Sequence, residues 1–175
     1  MDIEARMKTS DLRKVLQECL DKKQAVYEVV AVMGTTEEGA VDRLTEIIKI
    51  RDEFMTKGLS FVIHADAAWG GYFASMLPRK MPRRLPRTPD FPDYVPHVGL
   101  RDDTAVELRA MELVDSITID PHKAGYVPYP AGSLCYRDGR MRYLLTWTAP
   151  YINQGADGES IGVYGVEGRY AFAIL

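Results

Sequence analysis

Leu12, Val15, Leu16, Cys19 and Leu20 recur at i, i+3, i+4, i+7 and i+8, so residues 10 to 22 are predicted to form an amphipathic helix with one buried face. Ser10 and Asp11 are its candidate caps. Tyr27 to Met33 is a mostly apolar run of strand length, which suits a central parallel strand better than a half-exposed one. It stops at Gly34-Thr35-Thr36. From Ala40, Val41, Leu44, Ile47 and Ile48 alternate with Arg43, Glu46 and Lys49 at helical spacing, and Gly58 is placed to end that helix. A second strand is expected over Leu59 to Ala65.

Strand, helix and strand joined by short connections form a βαβ unit, and such units build a parallel sheet covered by helices. The fold class expected is therefore α/β. Residues 78 to 96 interrupt the pattern with six prolines among arginines and a lysine, which excludes regular helix or central strand. That stretch reads either as a lid or anion-attracting rim, or as a solvated connection. Helical spacing resumes over Asp102 to Leu113, followed by a strand at 116 to 119. Ala124 to Gly132 is a turn-rich aromatic loop, Ser133 to Tyr136 a returning strand, and Arg137-Asp138-Gly139 a turn. Arg140 to Trp147 is compatible with a helix, whereas the glycine-rich run from Ala149 to Gly168 is expected to be extended or looped.

Composition narrows the class without naming a function. The 175 residues are 46% hydrophobic and 27% charged with a net charge of −3, values that suit one folded domain and give no reason to expect a nucleic-acid partner. Cys19 and Cys135 have no CxxC spacing and are read as reduced. No run reaches the length of a membrane span, and the acidic start Met1-Asp2-Ile3-Glu4 does not suit a signal peptide, so a cytoplasmic location is expected.

In open parallel sheets ligands bind at the carboxyl ends of the strands, and three chemically capable segments fall there: Thr35-Thr36, His64-Ala-Asp66-Ala-Ala68, and Asp120-Pro-His122-Lys123. A lysine amine can form a Schiff base with the aldehyde of pyridoxal phosphate, while a carboxylate beside the pyridine nitrogen keeps that nitrogen protonated. Lys123 and Asp66 are the candidates. Each has a plainer alternative. A lysine after a strand is commonly a solvated surface group; Pro121 before it and Ala124-Gly125 after it, which leave space for a bulky group, favour the chemical reading.

Asp66 follows a run expected to be buried and so needs a cation, which a salt bridge supplies as well as a cofactor; no HxH, HExxH or carboxylate cluster around it suggests a metal. His64 lies on the same strand face as Asp66, as a hydrogen-bonded core histidine or a base. Thr35 and Thr36 are either local caps or ligand contacts, and Asp42 reads as a first-turn helix charge. There is no GxSxG, Walker A or GxGxxG sequence to support acyl transfer or nucleotide binding.

His64-Ala-Asp66-Ala-Ala-Trp-Gly-Gly71, preceded by Gly34-Thr-Thr-Glu-Glu-Gly-Ala-Val-Asp42 and followed by Asp120-Pro-His122-Lys123, resembles the pyridoxal-phosphate-dependent group II amino-acid decarboxylases over roughly residues 24 to 168. Gly125-Tyr-Val-Pro-Tyr-Pro-Ala-Gly132 looks most like the microbial tyrosine decarboxylase branch; in the animal branches asparagine usually stands at the position of Asp120. The resemblance implies a type I aminotransferase-like large domain, with Lys123 as the Schiff-base lysine and Asp66 as the pyridinium partner. It also implies that Ala68 packs on the ring, and that His122 and one of Thr35 or Thr36 touch the cofactor. The activity implied is decarboxylation of an aromatic L-amino acid, tyrosine first, to the amine and carbon dioxide by a homodimer. Another substrate such as glutamate or aspartate, a different carbon lyase, or an inactive cofactor-binding remnant are the alternatives. The family's ring-stacking histidine, its phosphate-gripping residues and its small C-terminal domain have no counterpart in these 175 residues, and Arg169 to Leu175 diverges, so residues 1–175 are expected to be part of a large domain.

Overall fold

The computed structural model describes residues 1–77 and 99–141 together with the short strands Thr146–Trp147 and Val163–Tyr164. In chain order its elements are α1 (Thr9–Asp21), β1 (Glu28–Val32), α2 (Leu44–Thr56), β2 (Val62–Asp66), a 3-10 helix (Gly70–Met76), α3 (Asp102–Ala110), β3 (Ser116–Ile119), β4 (Ser133–Tyr136), β5 (Thr146–Trp147) and β6 (Val163–Tyr164). The first four strands form one sheet in the order β1-β2-β3-β4, parallel through β3 and antiparallel at β4. This is the α/β arrangement anticipated from the alternating periodicities. β5 and β6 pair antiparallel as a separate ribbon.

One face of the sheet supplies the core. Val29, Ala31, Ile63, Ala65 and Ala67 are buried with Leu44, Ile47, Ile50 and Phe54 of α2, Leu108 of α3 and Leu16 of α1. Alternation along a strand sends the neighbouring residues to the other side. There Val30 and Val62 remain 42% and 46% exposed. The expectation of a strand buried on both faces over 27 to 33 is therefore corrected: among the described residues the helices cover a single face, and apolar content alone could not say which faces would be covered.

Helix boundaries moved for identifiable reasons. α1 begins at Thr9 after an extended Lys8 that makes no side-chain cap, so Ser10 and Asp11 are helical residues rather than caps. Thr9 instead donates its hydroxyl to Glu46 Oε2 at 2.8 Å, tying α1 to α2. α2 begins at Leu44, later than Ala40, because residues 40 to 43 fold back along β1 through a Met33–Val41 bridge. Asp42 is not a first-turn helix charge. It is 5% exposed, its N–H donates to Val32 O at 2.9 Å, and its carboxylate accepts the N–H groups of Val32 (2.8 Å) and Met7.

Gly58 follows the C-cap of α2 at φ +92°, the left-handed geometry expected of a terminating glycine. A helix over 140 to 147 is also corrected: Gly139–Met141 is a single 3-10 turn and Thr146–Trp147 is a strand. Val163–Tyr164 is extended, as expected of its region. The proline-rich stretch 78 to 96 and most of the run from 149 to 168 lie outside the described residues. No helix among the described residues is long and apolar enough to cross a membrane.

Candidate cofactor site

The carboxyl ends of three strands meet through their backbones. Val32, Asp66 and Thr118 are register partners across β1, β2 and β3. Past the regular ladder, Met33 N–H donates to Asp66 O at 2.8 Å, Ala67 N–H to Thr118 O at 3.0 Å, and Asp120 N–H to Ala68 O at 3.1 Å. The segment holding Asp66 and the turn holding Lys123 are thus joined by hydrogen bonds on both sides of Ala67. Sequence spacing predicted that these strand ends adjoin, and the ladder joins their backbones.

Close approach of the chain at these ends depends on small residues. A Cβ at Gly70 would stand 1.8 Å from Met33 O, and one at Gly71 would stand 3.0 Å from Ile119 Cγ1, so the 3-10 helix after β2 seats directly on the ends of β1 and β3. Gly125 does not leave space for a ligand, contrary to expectation. The Tyr72 ring and Pro121 O already fill it, 2.7 and 2.5 Å from where a Cβ would lie.

Asp66 is half-buried, and its Oδ1 accepts the N–H of Ala68 at 3.2 Å. No ion pair engages it among the described residues, so the structural salt bridge weighed as its plainer role is not found there. A half-buried carboxylate at a strand end, with one oxygen uncommitted among the described residues, is the acceptor a protonated ring nitrogen requires. His64, on the same strand face, is held at both nitrogens: Nδ1 lies 2.7 Å from Ser116 Oγ and Nε2 lies 3.1 Å from Thr118 Oγ1. The hydrogen-bonded histidine is the geometry observed. Ala68 is half-buried.

Lys123 sits in the turn that follows β3, its N–H donating to Asp120 O at 3.0 Å. Its Nζ lies 2.9 Å from Asp120 Oδ2. His122 is exposed, with Nδ1 within hydrogen-bond distance of both Ala131 O and Ala131 N, which pins its ring to the loop leading into β4. Thr35 is engaged in its own loop: its hydroxyl accepts from Ala40 N–H at 3.0 Å and donates to Glu38 Oε2 at 3.0 Å. Thr36, next to it, is exposed. Of the two threonines, Thr36 has the freer position.

Asp120, Ser116 and Thr118 escaped assignment from sequence. The i,i+3 spacing of Asp120 and Lys123 around a proline was the available signal for the first; for the other two, alternation placed them together, but their meeting with His64 needed the strand register. Both cysteines are free, and burial pushes the Cys135 thiol above its ordinary pKa. A cleft of about 770 Å³ lies between the N-terminal segment, the start of α2 and α3, bordered by Arg6, Arg43, Arg101 and Glu107. Neither Asp66 nor Lys123 lines it. Its wall of alternating charges already pairs internally and it offers no chemistry to this site.

An open, mostly parallel α/β sheet has Asp66 at the end of β2 and Lys123 in the turn after β3, and in sheets of this class ligands bind beyond the carboxyl ends of the strands. Residues 1–92 match the pyridoxal-dependent decarboxylase conserved domain, and the chain belongs to that family. It is 36% identical over 183 residues to the L-tyrosine decarboxylase of Enterococcus faecalis, covering 99% of this chain and 29% of that protein. To the L-tyrosine decarboxylase of Levilactobacillus brevis it is 34% identical over 182 residues, 99% of this chain and 29% of the relative. The L-tyrosine/L-aspartate decarboxylase of Methanocaldococcus jannaschii is 30% identical over 148 residues, 84% of this chain and 32% of the relative. The chain therefore spans about 29% of the length of the bacterial relatives it matches. In fold it is similar to Oryza sativa TDC solved with PLP and tryptamine, with a TM-score of 0.62 and 22% identity over 91% of this chain and 27% of that one.

Proposed function

We propose that this protein works as a pyridoxal 5'-phosphate-dependent carboxy-lyase that removes the α-carboxylate of an L-amino acid, releasing carbon dioxide and the amine, with tyrosine the favoured substrate. The observation that carries the reading is the pair of hydrogen bonds, Ala67 to Thr118 and Asp120 to Ala68, that set an aspartate and a lysine from separate motifs on one joined edge. Bound pyridoxal phosphate supplies an electron sink for the electron pair left by a departing carboxylate. Lys123 offers the amine that holds the aldehyde carbon. Asp66 holds a proton on the pyridine nitrogen, its carboxylate oriented by the Ala68 N–H. Ala68 presents a methyl group small enough for a flat ring, and His122 with Thr35 or Thr36 completes the contacts, Thr36 having the less committed position.

The substrate reading draws on the tyrosine decarboxylases at 34 and 36% identity. The archaeal relative whose name joins tyrosine with aspartate favours an acidic amino acid as the second reading. In this reading the chain forms part of a type I aminotransferase-like large domain of a cytoplasmic homodimer that acts on small amino acids and has no nucleic-acid partner. The test is to incubate the protein with pyridoxal phosphate, reduce with borohydride and map the label by peptide mass spectrometry. Label on the Lys123 peptide is expected; label scattered over surface lysines with Lys123 unmodified rejects the assignment. Carbon dioxide release from a full-length protein carrying these residues is then compared for tyrosine, dihydroxyphenylalanine, phenylalanine, tryptophan, glutamate and aspartate, with tyrosine expected to lead.

A further inference from the structure

We propose that Asp120 is a positioning residue for Lys123, holding its ammonium, when no cofactor is attached, in an ion pair on its own turn so that capture of an aldehyde must first open that pair; the proposal rests on the reading of Lys123 as the cofactor-bearing lysine. Asp120 Oδ2 lies 2.9 Å from Lys123 Nζ. The partners are unequal. The Asp120 side chain is 17% exposed, its N–H donates to Ala68 O, and its carbonyl accepts the Lys123 N–H. Gly132 lies against its other carboxylate oxygen so closely that a Cβ there would stand 3.2 Å away. A short side chain enclosed in this way stays where it is. Lys123, 39% exposed on a flexible four-carbon stem, is the partner that moves. Pro121, between them, fixes the backbone of the turn that brings the carboxylate and the stem together.

An ammonium has no lone pair to offer, so Nζ cannot add to a carbonyl while it is held as one. Joining the amine to an aldehyde replaces a carbon–oxygen double bond with a carbon–nitrogen double bond. Two of the three ammonium protons leave with the oxygen as water, and the third stays on nitrogen. No oxidant or reductant is involved. Asp120 acts on the lysine whenever that amine is free, so removing its charge speeds capture, whatever electrophile is used.

The test follows Lys123 against the other lysines of the same 175-residue chain, free of pyridoxal phosphate and at one fixed pH. Acylation by a neutral N-hydroxysuccinimide ester is read peptide by peptide in a mass spectrometer. Asp120→Asn should raise the rate at Lys123 about two- to fivefold, the range open to a partly exposed ion pair, with the other lysines unchanged. Asp120→Glu, which keeps the charge, should restore much of the slow rate. In the unsubstituted chain, added salt should selectively speed Lys123 by screening the pair, a measurement that requires no variant to fold. A Lys123 rate indifferent to both Asp120→Asn and salt overturns the proposal. A parallel arm measures capture of pyridoxal phosphate by borohydride trapping. Similar gains with ester and cofactor support the ion-pair clamp, whereas a gain confined to the cofactor means that Asp120 merely repels its phosphate, and overturns it. If the cofactor never reaches Lys123 while the acylation results hold, the cofactor assignment falls and takes the proposed role with it, visibly for a different reason.

Discussion

The amide of Asp120 donates to the carbonyl of Ala68 at 3.1 Å, so the turn bearing Lys123 and the strand end bearing Asp66 are held at a fixed offset. With Ala67 N–H bound to Thr118 O two steps away, neither motif can shift along the sheet without breaking the other's backbone bonds. A side chain placed on a strand end, as that of Asp66 is, is more rigidly aimed than one on a free loop.

Asp66→Asn isolates charge from shape. The amide oxygen can still accept the Ala68 N–H, and the side chain is half-buried without an ion pair among the described residues, so stability should change by no more than about 0.5 kcal/mol. A neutral amide cannot hold a proton on a pyridine nitrogen, so in a full-length context decarboxylation under the proposed reading should fall on the order of a hundredfold or more. Urea unfolding and single-turnover carbon dioxide release separate the two effects. Near-normal turnover in Asp66→Asn would show this carboxylate to be structural only.

Gly70 should tolerate no side chain. Its Cβ position lies 1.8 Å from Met33 O and 2.8 Å from the Met33 carbonyl carbon, both backbone atoms of the β1 end that cannot rotate away. Gly70→Ala should cost about 3 kcal/mol, at the upper end of ordinary overpacking. Gly99→Ala, where nothing among the described residues lies within 4 Å, is the matched control and should be nearly neutral. Chemical denaturation midpoints of the two variants give the comparison.

The periodic elements were legible because a period of 3.6 or 2 survives in the sequence whatever surrounds it: β3 and β4 fell on residues 116 to 119 and 133 to 136 as read. The 3-10 helix Gly70–Met76 carries no such period, so it was not anticipated. Ala40 to Arg43 continued a helical pattern, yet a tertiary bridge claimed them for β1. At the site, Lys123 and Asp66 were visible as types of residue in a place. Their surroundings were not: the ion pair to Asp120 depends on turn geometry, and the two hydroxyls on His64 depend on which residues of β3 lie opposite β2.

Acid should weaken the turn after β4. The Arg140 guanidinium and backbone amide hold the exposed Asp138 carboxyl at about 2, down from 3.8. A carboxyl with its folded pKa depressed contributes stability above its unfolded pKa and loses it as pH falls through the folded value. The loss therefore falls between about pH 4 and pH 2. It should be small and sensitive to salt, because the pair is on the surface. Asp138→Asn should flatten that part of a thermal-stability profile against pH; an unchanged profile would show that the pair contributes nothing in solution.

Asp42 predicts the largest effect away from the strand ends. Its 5% exposed carboxylate satisfies two backbone donors from different segments, Val32 N–H in β1 and Met7 N–H ahead of α1, while its own N–H closes on Val32 O. Asp42→Ala leaves both donors without this acceptor, and each buried orphan costs about 1–3 kcal/mol. A total near 3 kcal/mol is expected, because water can reach the less buried Met7 side. Asp42→Asn keeps one acceptor oxygen and should cost roughly half as much. Hydrogen exchange distinguishes this origin from general loosening: the Met7 and Val32 amides should lose protection first, while Ile63 and Ala65 in β2 keep theirs. Uniform loss across the sheet in Asp42→Ala would mean that the carboxylate supports the whole core rather than the junction between β1 and the N-terminal segment.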